Sequence, residues 1–311
     1  MKTVVVISGK GGAGKTSVTA GLLPFLPHLV VADADVDASN LPLLLDARQT
    51  ASEEQFESVT ARILPHRCSA CQACVDACRF EAITTSTTCD RPPIPRIDPL
   101  SCEGCRVCGL VCPDGAIAFH HRLSGIWYRS ETPFGPISHA CLSSGGENSG
   151  ALVAKVREEA EKIASETEAP LILVDGPPGI GCPTISALTG ADLTIVVTEP
   201  TPSGESDMKR ALELARHFGM PAAVVINKVD LSTERAQSLA TEAGKLGAEI
   251  IARFPYSEDV GQAIRESRVI STSSQDWHNR FEKLWHEVET LLGRSSSHSE
   301  ADGGEPTVHA G

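Results

Sequence analysis

Apolar positions along the chain fall into short unbroken blocks separated by longer stretches of mixed polarity. The blocks Lys2–Ser8, His28–Ala32, Leu171–Val174, Leu193–Thr198, Ala222–Ile226 and 249–254 are rich in Val, Ile and Leu. Their length and makeup fit strands buried on both faces. The stretches between them predict helices from Thr16 to about Leu23, over 151–168, on to about Phe218, and over 233–246. Short strands alternating with helices imply βαβ units, and so an α/β fold with a mainly parallel sheet flanked by helices. A last helix, 277–292, gathers Trp277, Phe281, Leu284, Trp285, Val288, Leu291 and Leu292 on one face, the pattern of a core-packing helix. Its polar face sets Glu282, Glu287 and Glu289 against Lys283, which disfavours an anionic lipid surface. From Ser295 onward Ser, Gly, His and acidic residues predict a disordered acidic tail, 295–311.

One region breaks the alternation. Residues 62–124 have no long period, short segments and most of the cysteines, so they read as an insert. The expected organisation is a discontinuous α/β domain, 1–61 and 125–294, interrupted by a small cysteine-rich domain, 62–124. Nine of the eleven cysteines lie between Cys68 and Cys112. Clustering of that kind in a reducing compartment points to metal before disulfides.

The cysteines repeat. Cys68-x2-Cys71-x2-Cys74-x3-Cys78 recurs 34 residues later as Cys102-x2-Cys105-x2-Cys108-x3-Cys112, and the copies share their exits, Glu81-Ala82-Ile83 against Gly115-Ala116-Ile117. Structural zinc prefers two separated pairs, whereas three-plus-one spacing suits [4Fe–4S] clusters. The repeat resembles the two-cluster bacterial ferredoxins, in which the fourth Cys of each run ligates the other cluster. That resemblance implies a small α+β ferredoxin-like insert with one cluster on Cys68, Cys71, Cys74 and Cys112 and a second on Cys102, Cys105, Cys108 and Cys78. Arg79 stands where a Pro is usual after the fourth Cys, and Cys89 reads as spare.

Charge narrows the partners. There are 27 Lys and Arg against 40 Asp and Glu, a net −13, which argues against a nucleic-acid partner because phosphate binding needs a basic face. No apolar run approaches the ~20 residues that span a bilayer. The apolar run before the first Gly-rich loop is too short for a secretory signal, so a cytoplasmic location without membrane attachment is expected.

Gly9-Lys10-Gly11-Gly12-Ala13-Gly14-Lys15-Thr16 follows a predicted strand and opens a predicted helix, the context of a phosphate-binding loop. Successive N–H groups there turn toward phosphate oxygens, Lys15 reaches the outer phosphates and the Thr16 hydroxyl ligates Mg²⁺. With Lys10, the loop resembles the deviant Walker A of the MinD/Mrp/ParA family of P-loop ATPases, a likeness covering about 1–60 and 125–290. That resemblance implies a P-loop NTPase fold and an ATP-sandwiched homodimer, or a heterodimer with a similar ATPase, in which Lys10 crosses to the partner's nucleotide.

It further implies that Asp33-x-Asp35-x4-Asn40-Leu41 is switch I, with Asp35 orienting the water, and that Asp175-Gly-Pro-Pro-Gly179 is Walker B and switch II. Mg²⁺ would be held through Thr16, Asp33, Asp35 and Asp175. Asn227 and Lys228 would meet the purine, Pro255 and Tyr256 would flank it, and Ser17 would complete the loop. Lys10, Lys15 and Asp35 would act on the γ-phosphate.

Cys182 lies seven residues beyond Asp175, the offset of a cluster-ligating Cys in nitrogenase iron proteins; it also suits a tight Gly/Pro turn as a packing thiol. Cys141, ahead of Gly145-Gly146-Glu147-Asn148, is its candidate partner for an extra cluster or redox site. The expectation is an ATP-hydrolysing iron–sulfur protein gating electron transfer to a redox partner. The alternative is assembly or carriage of a metal cofactor for a client protein, and a ParA-like positioning role fits the acidic charge least.

Overall fold

The computed structural model describes residues 1–56, 58–85, 94–143 and 149–299. Cys89, the residues 144–148 and the tail from residue 300 lie outside them. In chain order the first elements are β1 (Lys2–Ser8), α1 (Lys15–Leu22), β2 (Leu29–Asp33), α2 (Leu41–Leu44) and β3 (Arg48–Gln55). Next come β4 (Ser58–Ile63), α3 (Ala73–Asp76), β5 (Ile83–Thr84), β6 (Arg96–Ile97), α4 (Val107–Val111) and β7 (Ile117–Arg122). Then follow β8 (Gly125–Thr132), β9 (Gly135–Leu142), α5 (Ser149–Thr167), β10 (Leu171–Pro178), α6 (Cys182–Leu188) and β11 (Leu193–Thr198). The chain continues through α7 (Pro202–His217), β12 (Ala222–Ile226), α8 (Thr233–Lys245), β13 (Glu249–Arg253), α9 (Glu258–Arg265), α10 (Ile270–Ser273) and α11 (Gln275–Ser299).

Nine strands make one sheet in the order β13-β12-β11-β1-β10-β2-β9-β8-β3. β1 runs parallel to both β10 and β11, with Val5 opposite Val174 on one side and Thr194 on the other. Parallel pairing extends to β2 and β9 in one direction and to β12 and β13 in the other. Val4 to Ile7 are fully buried, as a central parallel strand covered on both faces requires.

The chain separates into two compact units. The first takes Met1–Ser52, Trp127–Cys141 and the chain from Ser149. Its core joins the sheet to α1 and α11: Gly21 on α1 has no side chain, and a Cβ there would strike the Phe281 ring. Phe281 in turn lies 4.9 Å from Phe254, beside Trp277. α7 starts on a Thr201 side chain that accepts from the Gly204 N–H, with Pro202 at its first position and Arg216 and His217 in its last turn, each favourable at that end. α11 passes Ser295 and runs to Ser299, so the tail expected to lose order at 295 begins as helix.

The second unit takes Glu53–Ile126 and a short return segment from Leu142, so it starts ahead of the cysteine repeat. β4 pairs antiparallel with β7, and β5 with β6, beside the short helices α3 and α4. The 34-residue repeat in sequence is also a repeat in backbone. Left-handed conformations occur at Ala70 and Gly104, at Gln72 and Arg106, and at Glu81 and Gly115. α3 and α4 begin directly after Gln72 and Arg106, and Ile83 and Ile117 open the strands that follow. Ile63, Cys74 and Ile83 form its small core, with Cys68, Cys78, Cys108 and Ile117 packed against it.

Candidate functional site

Parallel strands place their carboxyl ends on one edge of the sheet, where α/β proteins form their ligand sites. Ser8 ends β1 there, and residues 9–14 turn back into α1. Gly14 has φ 96°, and a Cβ on it would collide with the Asn227 side-chain amide, so this position requires glycine twice over. Asn227 donates to the Ala13 carbonyl at 2.9 Å and Lys228 donates to the Gly12 carbonyl at 3.1 Å. These two residues, expected at the purine, here grip the loop backbone. Tyr256 is exposed, and its N–H donates to Asp230 at 2.6 Å, tying the segment with Pro255 to the Asn227 turn.

Lys15 is buried and its ammonium is shared by Asp35 at 3.1 Å and Asp175 at 3.5 Å. Asp175 also accepts from the hydroxyls of Thr16 (2.6 Å) and Thr19 (3.0 Å). Pairing of β10 with β2 sets Asp175 directly opposite Asp33, and both carboxylates are buried. Burial, and then the Asp175 charge, push the Asp33 carboxyl well up, to about 8. Asp33 accepts from the Ser39 hydroxyl at 2.9 Å and from the N–H groups of Asp35 and Leu41, which fixes the 33–41 turn. Burial also raises Asp35, against the pull of Lys15. For Lys15 burial acts downward, but Asp175, Asp35 and Asp33 outweigh it and the net movement is upward.

Two buried carboxylates, a hydroxyl and an ammonium within reach of one another form a charge-rich but incomplete site. Among the described residues no three His, Cys, Asp or Glu side chains converge as a ready cage for a metal ion. Mg²⁺ seldom uses such a cage, taking one or two carboxylates and completing its shell with water and substrate phosphates. Gly9, Gly11, Ala13 and Ser17 lie along the same loop and first helical turn, with Ala13 buried and Gly11 exposed.

Lys10 points elsewhere. Its ammonium lies 3.1 Å from Glu199 and donates to the Ser203 hydroxyl at 3.4 Å. Thr19, Glu199 and Ser203 were not legible as site residues in sequence. Glu199 had one available signal: like Asp33, it is an acidic residue at the carboxyl end of a buried strand.

In the second unit, Cys78, Cys102, Cys105 and Cys108 line one small cavity with Ala61 and Phe80, of about 20 Å³ and partly open to solvent. Burial raises the Cys74 thiol, and its neighbours Cys68, Cys112 and Cys71 add to the rise. Cys108 is likewise raised by burial, with Cys102, Cys105 and Cys74 nearby. Backbone N–H groups aim at sulfur: Ala70 at Cys68 (3.4 Å), Ala116 at Cys112 (3.3 Å) and Ala61 at Cys102 (3.5 Å). Cys141, on β9, and Cys182, the first residue of α6, are both exposed. Among the described residues no helix is long and apolar enough to cross a membrane.

Comparison with known proteins agrees with the first unit's geometry. The family model for the CobQ/CobB/MinD/ParA nucleotide binding domain matches residues 4–270. The chain is 34% identical over 294 residues to the uncharacterized protein MJ0578 of Methanocaldococcus jannaschii, covering 93% of this chain and 97% of that one. A second uncharacterized protein of that organism, MJ0579, is 29% identical over 245 residues, 75% of this chain and 82% of its own. In fold the chain is similar to the septum site-determining protein MinD of Pyrococcus horikoshii, solved with Mg-ADP, at 18% identity and a TM-score of 0.57, over 94% and 98% of the two chains. The apo McdA of Cyanothece gives 0.51 at 17% identity, over 93% and 99%.

Proposed function

The chain belongs to the CobQ/CobB/MinD/ParA family of nucleotide-binding domains, and we propose that it is an ATPase coupling its nucleotide state to two [4Fe–4S] clusters, for ATP-gated electron transfer to a partner protein. The cysteine repeat carries the iron–sulfur part: Cys78, Cys102, Cys105 and Cys108 come from both copies yet line one cavity, although among the described residues no three of them converge as a ready metal cage. Cys68, Cys71, Cys74 and Cys112 form the complementary set around the buried Cys74. The chemistry of the donors fits the group, since N–H groups aimed at sulfur spread the negative charge of a thiolate-held cluster. When bound, such a cluster supplies a one-electron couple.

At the loop, Mg²⁺ would take Asp175 and the Thr16 hydroxyl as ligands in place of their contact with each other, and would release Lys15 to the outer phosphates. Asp35 would then accept a hydrogen bond from the water that attacks the γ-phosphorus as the β–γ bridging bond breaks. Lys15 holds the charge gathering on the phosphate oxygens. Two chains face to face would sandwich two ATP molecules.

Assembly or carriage of a metal cofactor is the second reading, favoured by one observation: the exposed thiol of Cys182 seven residues past Asp175. Iron and sulfide per chain, measured anaerobically in wild type and Cys182→Ser, separate the two. Eight irons in both support the gated donor; more than eight in wild type alone support the carrier. Zinc in place of iron and sulfide would sink both.

A further inference from the structure

We infer that Glu199 is a positioning residue for Lys10: it sets where the loop's outer ammonium rests, and Lys10 must leave it before that ammonium can reach the outer phosphates of a nucleotide, on this chain or on a facing copy. The inference rests on reading residues 9–16 as a nucleotide site.

The two lysines of the loop are directed differently. Lys15 turns inward to Asp35 and Asp175, whereas Lys10 turns outward to Glu199 Oε2 at 3.1 Å and to Ser203 at 3.4 Å. The Glu199 side chain is 9% exposed and that of Lys10 36%, so the carboxylate is the fixed partner and the ammonium the mobile one. Backbone geometry holds Glu199 in place. Its carbonyl accepts from the Thr201 N–H at 2.7 Å, and a side chain on Gly204 would collide with that same carbonyl. Thr198 ties the turn to α7 by donating to the Gly204 carbonyl at 2.9 Å.

The other oxygen of Glu199 pairs with Lys228, which also donates to the loop carbonyl of Gly12. That second pair decides the character of the device. A buried carboxylate stripped of its only cation is strongly disfavoured. Glu199 keeps Lys228 when Lys10 departs, so release costs only one half-exposed ion pair. The contact is therefore strong enough to set where Lys10 rests and weak enough for a triphosphate to break.

The test uses the full chain and two probes, ATP and AMP. Affinities are measured by calorimetry for wild type, Glu199→Asp, Glu199→Gln, Lys10→Ala and the double variant Lys10→Ala/Glu199→Asp. Thermal unfolding checks that each is folded. Glu199→Asp keeps the charge but shortens the reach, so it is expected to bind ATP about twofold to fivefold more tightly, the size of an exposed to half-exposed ion pair. Glu199→Gln should do the same, and AMP, lacking the outer phosphates, should bind all of them equally. In the Lys10→Ala background the gain should vanish. Wild-type affinity in Glu199→Asp overturns the inference. So does tightening that survives Lys10→Ala, because it would reflect bulk charge alone. Failure of wild type to bind ATP would instead remove the nucleotide reading on which the inference stands.

Discussion

Asp175 serves three donors at once, the hydroxyls of Thr16 and Thr19 and the ammonium of Lys15, while facing Asp33 across the sheet. Asn in its place offers one acceptor oxygen and two new N–H donors, one of which would point at a donor already there. Asp175→Asn is expected to lower ATP hydrolysis by about a hundredfold or more, the scale of losing one preorganised electrostatic partner of a transition state. It should also remove the Mg²⁺ dependence of nucleotide binding while leaving metal-free binding nearly unchanged. Phosphate release checks the first, and nucleotide titration with and without Mg²⁺ the second. At this scale the sequence spoke unevenly. Asp175 and Asp33 announce themselves as acids closing buried strands, and Lys15 by its loop. Thr19 looks like any helix-interior residue, and its role depends on a strand more than 150 positions away, a distance local pattern does not encode. Asn227 shows the reverse difficulty: its position was legible, but its grip on the Ala13 carbonyl belongs to the folded loop.

Among elements, the strands that sequence displays are, apart from the edge strand β13, those buried on both faces, where nearly every position is apolar. The three that it hides lie toward one edge of the sheet. β3 is polar and exposed along nearly its whole length, as suits an unpaired edge, and nothing in Arg-Gln-Thr-Ala-Ser-Glu-Glu-Gln marks a strand. β8 and β9 form a hairpin around residues 133–134, and their cores contain Ser130, Ser138 and His139 among apolar positions. Trp127 donates to Ser138 at 2.8 Å, and Ser138 donates onward to the Val156 carbonyl, so burial of these polar groups is matched by bonds.

His139 shares a hydrogen bond with Ser130 at 2.9 Å and stacks on Tyr128, and burial holds its imidazole down at about 4. The folded chain therefore refuses a proton that the unfolded chain accepts near pH 6.5. Stability carried by neutral His139 is complete above that pH and is lost as pH falls toward 4. With some solvent access discounted, the loss at pH 5 is about 1–2 kcal/mol. His139→Gln keeps a partner for Ser130 without titrating. The gap between wild-type and variant stability in urea melts should thus move by that amount, in the variant's favour, between pH 7.5 and pH 5. A constant gap would mean the imidazole is protonated in the folded hairpin.

For the whole molecule, the question is whether the cysteine-rich unit and the nucleotide loop are two devices or one. Covalent connection favours one. The chain leaves the sheet from β3 for β4 and returns from β7 into β8, so both ends of the insert are anchored in neighbouring strands of the nine-stranded sheet. β8 adjoins β9, and β9 runs parallel to β2, whose last residue is Asp33. Asp33 holds Ser39 and Leu41, the turn that a γ-phosphate would reorganise. Strand by strand, Asp33 and the residues where the insert joins the chain belong to one hydrogen-bonded sheet. An effect of nucleotide on the insert is then expected in energy, whatever its structural form, and linkage makes it reciprocal for binding. Iron release to a chelator from anaerobically prepared protein reads it directly. Saturating Mg-ATP should change the release rate by about fivefold or more, the low end of ordinary coupling, with ADP changing it less. In Lys15→Ala, which lacks the ammonium for the outer phosphates, ATP should leave the rate where it was. Equal rates with and without nucleotide in wild type would mean that the two halves merely share a polypeptide. The electron-transfer reading would then lose its gate, although the thiol-lined cavity and the phosphate loop would each keep its own chemistry.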